Sequence, residues 1–332
     1  MRVAVVGAGA VGSVVGGLLA RAGQDVTLVG RPAHVAAIQR DGLVIEQPSG
    51  PLTIHVKASE RLDFTPDLAL LAVKITDLAA AVEQVRPLVT GVPVLTMQNG
   101  VRADRIAAGV LGEETILSCV VMMAATYLTP GRVTYARPGS LLLGVPFGPT
   151  SGSARRTQEL LDQAVPTRLT DTIRGAHWAK LIVNENNALP AITGWSVQQV
   201  SRDPWLSRLA TLMMKEAVAT IRAAGIRLAS LPELPAPVLR ATLALPTPLA
   251  TRAVSLMSRS LGSTPVLGST RQSIERGRAT EIDYLNGEVV ALGRHLHRPT
   301  PYNEAVVQLV HRVERTGRYL PVDELLAALP PL

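Results

Sequence analysis

The stretch "VAVVGAGAVGSVVGGLLARAG", residues 3–23, sets Gly7, Gly9 and Gly12 in GxGxxG spacing between an apolar run and an amphipathic one. The first glycine permits a tight turn, the second lets a pyrophosphate approach the backbone, and the third lets helix and strand pack closely. Such a turn needs a strand before it and a helix after it, so the chain should open with a βαβ unit. The backbone from Gly7 through Ala8, Gly9, Ala10, Val11 and Gly12 would then present amides to phosphates at the helix N-terminus. A glycine-rich turn without a ligand has the same letters, but the strand-turn-helix setting favours dinucleotide binding.

Short apolar runs alternate with amphipathic stretches through the first half of the 332-residue chain. "RVAVVG", "DVTLVG", "LALLAV", "PVLTM" and "ILSCVVMM" predict buried strands, with helices between them over 10–22, 77–89 and 101–110. This alternation argues for a mostly parallel sheet covered on both faces. Segments 43–56 and 132–145 read as hairpin additions, and a helix over 154–164 with a short strand at "TRLTD" completes the domain. Beyond residue 171 the strand signal stops. Helical patterns follow over 173–189, 206–224, 269–296 and 303–314. The prolines from Pro232 to Pro265 predict loop or short helices, with one helix over 249–261. The expected fold is α/β, with an N-terminal Rossmann-type doubly wound sheet over 1–171. An all-α C-terminal domain over 172–332 would serve substrate binding and dimerisation.

A formal charge of +7 raises the question of nucleic acid, but the arginines are scattered and aromatic residues make up only 3% of the chain. Few stacking platforms exist, so no nucleic-acid partner is expected. The charge suits a small anionic ligand or a composition simply rich in arginine. The single Cys119 cannot form an internal disulfide, and no Cys/His cluster has zinc-ligand spacing, so no metal is expected. No apolar run is long enough to span a bilayer and no cleavable signal precedes the first strand, which predicts a cytoplasmic protein with no membrane partner.

The end of the second strand reads the ribose of a dinucleotide. NAD sites place an acid there for the 2′-hydroxyl, whereas "VTLVGRPAH" has Arg31, with His34 close behind. A basic residue suits a 2′-phosphate, so NADP(H) is the preferred cofactor; a solvated loop arginine is the plain alternative. Lys74 ends "LALLAVK", and Gln98, Asn99 and Gly100 follow "PVLTM". Both sites lie at carboxyl ends of parallel strands, where open α/β sheets bind ligands. A strand-end charge and an ordinary turn are the competing explanations.

Lysine occurs only at Lys57, Lys74, Lys180 and Lys215. Arginine stays protonated, so a chain that needs a proton donor must keep a lysine or another titratable group for it. At about 100° per residue, His177, Lys180, Asn184 and Asn187 share one helical face. Amides beside one lysine suit a polar ligand better than a solvated charge stripe would. Projecting 269–296 in the same way gives an apolar stripe of Ile274, Ile282, Leu285, Val289 and Leu292. Asp283 then points to solvent, and Glu281 borders the buried face, where a carboxylate needs a partner. An ion pair with an arginine would also satisfy it.

The motifs "GAGAVGS", "GRPAH", "AVK", "QNGV", "KLIVN", "TEIDYLNG" and "PTPYN", in this order over nearly the whole chain, resemble those of the ketopantoate reductases (2-dehydropantoate 2-reductases). The resemblance implies a Rossmann domain, a helical domain and NADPH-dependent reduction of a small 2-keto acid, 2-dehydropantoate, to pantoate. It places Lys180 at the catalytic lysine and Glu281 at the substrate-binding glutamate, with Asn99, Asn184 and Ser269 as polar substrate contacts. Gly7, Gly9, Gly12, Arg31 and Lys74 match cofactor positions, and Asn99 and Glu281 border the cofactor as well. Glu281 should therefore face Lys180 across a cleft, and helical domains of this kind predict a homodimer.

The sequence departs from the family on the substrate side. Ala188 and Leu189 stand where an Asn-Pro pair is frequent, and Ser269, Thr270 and Ser273 replace a serine-methionine pair with a nearby aspartate. A reductase of another 2-keto acid is the first alternative, and a non-catalytic NADP(H)-binding sensor the second. "TEIDYLNG" argues against the related β-hydroxy acid dehydrogenases.

Overall fold

Val3, Ala4 and Val5 have no exposed surface, as befits a parallel strand covered on both faces. They belong to β1 (Arg2–Val6) in a computed structural model that describes residues 1–259 and 266–331. The chain divides into two compact units, Met1–Arg174 and Gly175–Leu332.

In the first unit β1 leads through α1 (Ala10–Arg21), β2 (Asp25–Val29) and α2 (Pro32–Asp41) to a hairpin of β3 (Leu43–Gln47) and β4 (Gly50–Ile54). The short β5 (Lys57–Ser59) follows, then β6 (Leu68–Leu71), α3 (Ile75–Val89), β7 (Val94–Thr96) and α4 (Ala103–Leu111). A long hairpin of β8 (Ile116–Thr129) and β9 (Arg132–Gly144), then α5 (Gly152–Asp162) and β10 (Thr167–Leu169), complete it. All strands join one sheet in the order β4-β3-β9-β8-β7-β6-β1-β2-β5, with β10 beside β9. From β8 to β5 every neighbouring pair is parallel. The loops after β1, β2, β6 and β7 therefore leave the same edge of the sheet.

The second unit takes up the chain within α6 (Ile173–Asn184), which passes through a 3-10 turn at Glu185–Asn187 into α7 (Ala188–Thr193). Next come α8 (Val197–Arg202), α9 (Pro204–Ala223), α10 (Ala236–Ala244), α11 (Thr247–Arg259) and α12 (Ser269–Glu275). A 3-10 turn at Ile282–Tyr284 precedes α13 (Asn286–His295), α14 (Pro301–Thr316) and α15 (Val322–Ala327). Leu189, Ile192, Leu206, Leu209, Met213, Val306, Val310 and Val313 pack at its centre. Among its described residues the sole extended pairing is an isolated bridge between Leu231 and Leu234. No helix among the described residues is long and apolar enough to cross a membrane.

The α/β sheet and the helical second half agree with the sequence reading. Its omissions are short or edge elements: α2, β5, α8 and α15. The proline-rich segment forms two short helices, α10 and α11; residues 260–265, which include the end of the helix expected over 249–261, lie outside the described residues.

One expectation fails. Residues 269–296 are not a single helix, because α12 stops at Glu275. Gly277 adopts the left-handed conformation (φ 61°), the Arg278 amide donates to Ser273 O at 2.9 Å and the Gly277 amide to Ile274 O at 2.8 Å. This pairing is the Schellman ending that glycine favours. Ile274 thus belongs to a different helix from Val289, and Glu281 stands in the connection before a 3-10 turn, not on a helix flank. The burial expected of the later stripe survives in part: Ile282, Leu285 and Val289 are at most 1% exposed, Leu292 is half-buried, and Asp283 is exposed.

Candidate active site

The glycine turn is built as its spacing requires. Gly7 has φ 104°, and a Cβ placed there would lie 2.4 Å from the Val73 amide nitrogen; one placed on Gly12 would lie 2.3 Å from Gly7 O. Either side chain would collide with backbone. A Cβ on Gly9 meets nothing within 4 Å, so that face of the turn opens outward. The first bond within α1 is from the Ser13 amide to Gly9 O at 3.0 Å. The amides of Ala10, Val11 and Gly12 precede it, and the first turn carries no acid. An open cradle of helix N-terminal amides fits a dinucleotide pyrophosphate.

Neighbouring loops close on this turn. A Cβ on Gly30 would meet that of Ala8 at 2.9 Å, so the chain leaving β2 passes directly over the glycine loop. It delivers Arg31, exposed at the N-cap of α2 and followed by Pro32. Proline at the first helical position fixes where that helix begins. Lys74 is half-buried at the N-cap of α3, immediately after Val73, which abuts Gly7.

Gln98 turns inward. Its amide nitrogen donates to Leu71 O at 2.8 Å and Val73 O at 3.1 Å, while its oxygen accepts from the Met97 amide at 3.1 Å. It thus fastens the loop that carries Lys74 to the end of β7, and the half-buried Asn99 is left at the rim. The Thr96 hydroxyl donates to buried Asp104 at 2.6 Å, and Ser118 donates to the other Asp104 oxygen at 2.9 Å. The segment bearing Asn99 is closed at both ends by this network. In the sequence Asp104 resembled any acid in a helix's first turn, and nothing local marked it.

His34 is also internal. Its Nδ1 accepts from the Gly131 amide at 2.8 Å, which leaves the proton on Nε2, 3.1 Å from Ser13 Oγ. Burial lowers its pKa and keeps the ring neutral. His34 is a brace between α1, α2 and the β8–β9 hairpin, and Arg31 is the basic group the β2 end presents outward.

In the second unit His177 is buried at 6% exposure, whereas Lys180 and Asn184 are half-buried. Asn187 lies beyond α6 in a 3-10 turn, where three residues make a full rotation and keep it near the Asn184 direction. A Cβ on Gly268 would approach Asn187 Oδ1 to 3.1 Å. Ser269, exposed at the start of α12, is thereby brought beside the turn that follows Asn184. The Schellman ending of α12 then directs the chain toward Glu281, which is half-buried.

Beneath this surface lies a buried acidic group that sequence reasoning passed over. Glu185, next to Asn184, has no exposed surface and neither carboxylate oxygen has a hydrogen-bond partner. Burial, and then the field of Glu216, push its pKa well above the usual range. Glu216 is better served: its oxygens accept from the amides of Tyr302 and Asn303, each at 2.9 Å, and from the Asn303 side chain at 2.9 Å. Burial still leaves its pKa raised.

Family models cover both units: "Ketopantoate reductase PanE/ApbA" matches residues 3–146 and its C-terminal counterpart matches 172–314. The 2-dehydropantoate 2-reductase of Mesorhizobium japonicum is 30% identical, over 94% of this chain and 98% of that one. The enzyme of the same name from Pyrococcus horikoshii is 29% identical over 96% and 99%. A crystal structure of a PanE/ApbA family ketopantoate reductase from Ralstonia eutropha JMP134 superposes with a TM-score of 0.79 at 33% identity, covering 95% of this chain and 99% of that one. With both halves matched in order and relatives aligned almost end to end, this chain belongs to the ketopantoate reductase family.

Proposed function

We propose that the protein is an NADPH-dependent reductase of 2-dehydropantoate, with Lys180 as the general acid. The observation that carries this reading is the open cradle at Gly9, with the loops of Arg31, Lys74 and Asn99 gathered on the same sheet edge. Gly7, Ala8, Gly9, Ala10, Val11 and Gly12 would hold the pyrophosphate, and Arg31 the 2′-phosphate. Bound there, the dinucleotide supplies a hydride to the ketone carbon.

As negative charge develops on the carbonyl oxygen, the Lys180 ammonium stabilises it and then gives it a proton, which completes the alcohol. Arginine would stabilise the charge but release no proton at neutral pH. Asn184 and Ser269 orient the substrate, Asn99 touches both substrate and cofactor, and Glu281 holds the substrate opposite Lys180. A second reading keeps the reaction and changes the acid, since Ala188 and Leu189 are core residues, at most 1% exposed, where the family frequently has Asn-Pro.

The deciding experiment is a panel of 2-keto acids assayed with NADPH and NADH, using the wild type and Lys180→Ala. Rapid NADPH oxidation with 2-dehydropantoate, abolished in the variant while NADPH still binds, is the expected result. Turnover of a different acid alone would favour the second reading, and full activity of Lys180→Ala would overturn the mechanism.

A further inference from the structure

His311 lies on α14 with a carboxylate at each ring nitrogen. Nδ1 is 2.7 Å from Glu314 Oε2 and Nε2 is 3.0 Å from Asp283 Oδ1. An ionised carboxylate can only accept, so both nitrogens donate when both contacts form, and the ring that makes them is an imidazolium. The other oxygen of Glu314 accepts from the Thr280 amide at 2.7 Å, and the Thr280 hydroxyl accepts from the Ile282 amide at 3.3 Å. Thr280 and Asp283 flank Glu281 on either side. The short connection that bears Glu281 is therefore tied to α14 at both ends, through Glu314 before it and through His311 after it, and the histidine joins the two ties.

We propose that His311 is a positioning residue, an imidazolium clamp that fixes the backbone of residues 280–283 and so aims Glu281. The proposal rests on the substrate-holding role given to Glu281 above. Such a clamp suits the connection, because α12 ends at Glu275, its closing bonds reach only to Arg278, and the 3-10 turn begins after Glu281. Burial opposes charging of the ring, but the hydrogen bonds and fields of Glu314 and Asp283 outweigh it and raise its pKa. Asp283 from the 3-10 turn and Glu314 from α14 itself are the charged groups that raise it. Glu314 feels a burial effect in the opposite sense, yet its bonds to Thr280 and His311 leave its pKa lowered. The clamp is complete below the raised histidine value and opens as pH rises through it.

The test compares wild type with His311→Gln, Asp283→Asn and Glu281→Gln, using hydrogen exchange at 278–285, histidine ring 15N spectra and steady-state kinetics. In the wild type both ring nitrogens should carry protons below the raised histidine value, and exchange at 278–285 should accelerate as the ring titrates. His311→Gln should exchange fast at every pH and raise KM by about tenfold, as expected from losing one charge-assisted hydrogen bond, with kcat changed less. Its KM should lose the alkaline rise seen in the wild type. Asp283→Asn should lower the ring's titration midpoint. A neutral wild-type ring, or exchange at 278–285 that His311→Gln leaves unchanged, would overturn the clamp whatever the enzyme's substrate proves to be. Full activity of Glu281→Gln with the spectra as expected would instead overturn the role of Glu281 and leave the clamp standing.

Discussion

The side-chain amide of Gln98 donates to the carbonyl of Val73 at 3.1 Å, across 25 residues of sequence, and to that of Leu71 at 2.8 Å. Through Val73 it bears on Gly7, so the positions of Lys74 and the glycine turn depend on one buried side chain at the end of a different strand. Gln98→Ala leaves these buried carbonyls without that donor and should cost about 1–3 kcal/mol. Urea unfolding would measure it, and titration of NADPH should show weaker binding in the folded variant.

The three motif glycines should fail in different ways. Gly9→Ala places its methyl in open space, so stability should fall little while NADPH affinity drops, by roughly tenfold or more if the methyl displaces a phosphate contact worth over 1.4 kcal/mol. Gly7→Ala and Gly12→Ala drive a Cβ to 2.4 Å from Val73 N and 2.3 Å from Gly7 O, and should lower the unfolding temperature outright. Paired calorimetry and binding would separate the two patterns. Equal stability losses at all three would remove the case for a ligand-facing Gly9.

Arg31 is the basic group exposed after β2, with His34 turned into the protein. Arg31→Ala should lower kcat/KM for NADPH by roughly tenfold, the loss of one charge-assisted contact, and leave NADH almost unchanged. An unaltered NADPH-to-NADH ratio would assign the arginine to solvent.

Glu185 supplies a pH signature of stability. Its folded pKa is raised by burial and by Glu216, so above the ordinary glutamate value the unfolded chain releases a proton that the folded chain keeps. Stability then declines as pH rises from that ordinary value toward the raised one. Glu185→Gln removes this slope and should match or exceed the wild type in unfolding midpoint at neutral pH. Parallel denaturant curves at pH 5 and pH 8 would check it, and a larger loss in the variant at the higher pH would contradict the assignment.

Much of the unit around the glycine turn was legible because its signals are local. "VAVVGAGAVG" contains strand, turn and helix start in ten letters, and each later strand is a short apolar run. The 269–296 segment misled because periodicity records where apolar residues recur and not whether the backbone continues between them. Gly277 was the visible warning, a glycine just past a helical run, and its left-handed φ of 61° moved Glu281 off the helix. His311 carried no signal at all: its meaning lies in Asp283, 28 residues earlier.

By itself the sequence determined the layered α/β order, the all-helical second half, the glycine turn and the placing of Arg31, Lys74 and Asn99 at strand ends. These follow from patterns that span a few residues, where side-chain spacing and backbone preference act directly. Only the tertiary structure decided that Gln98 and His34 turn inward, that Glu185 is sealed beside Glu216, and that His311 and Glu314 together hold the two sides of Glu281. Those outcomes depend on which distant groups share a low-dielectric interior and which donors remain to satisfy them, and burial and hydrogen-bond pairing arise only once the chain has closed on itself.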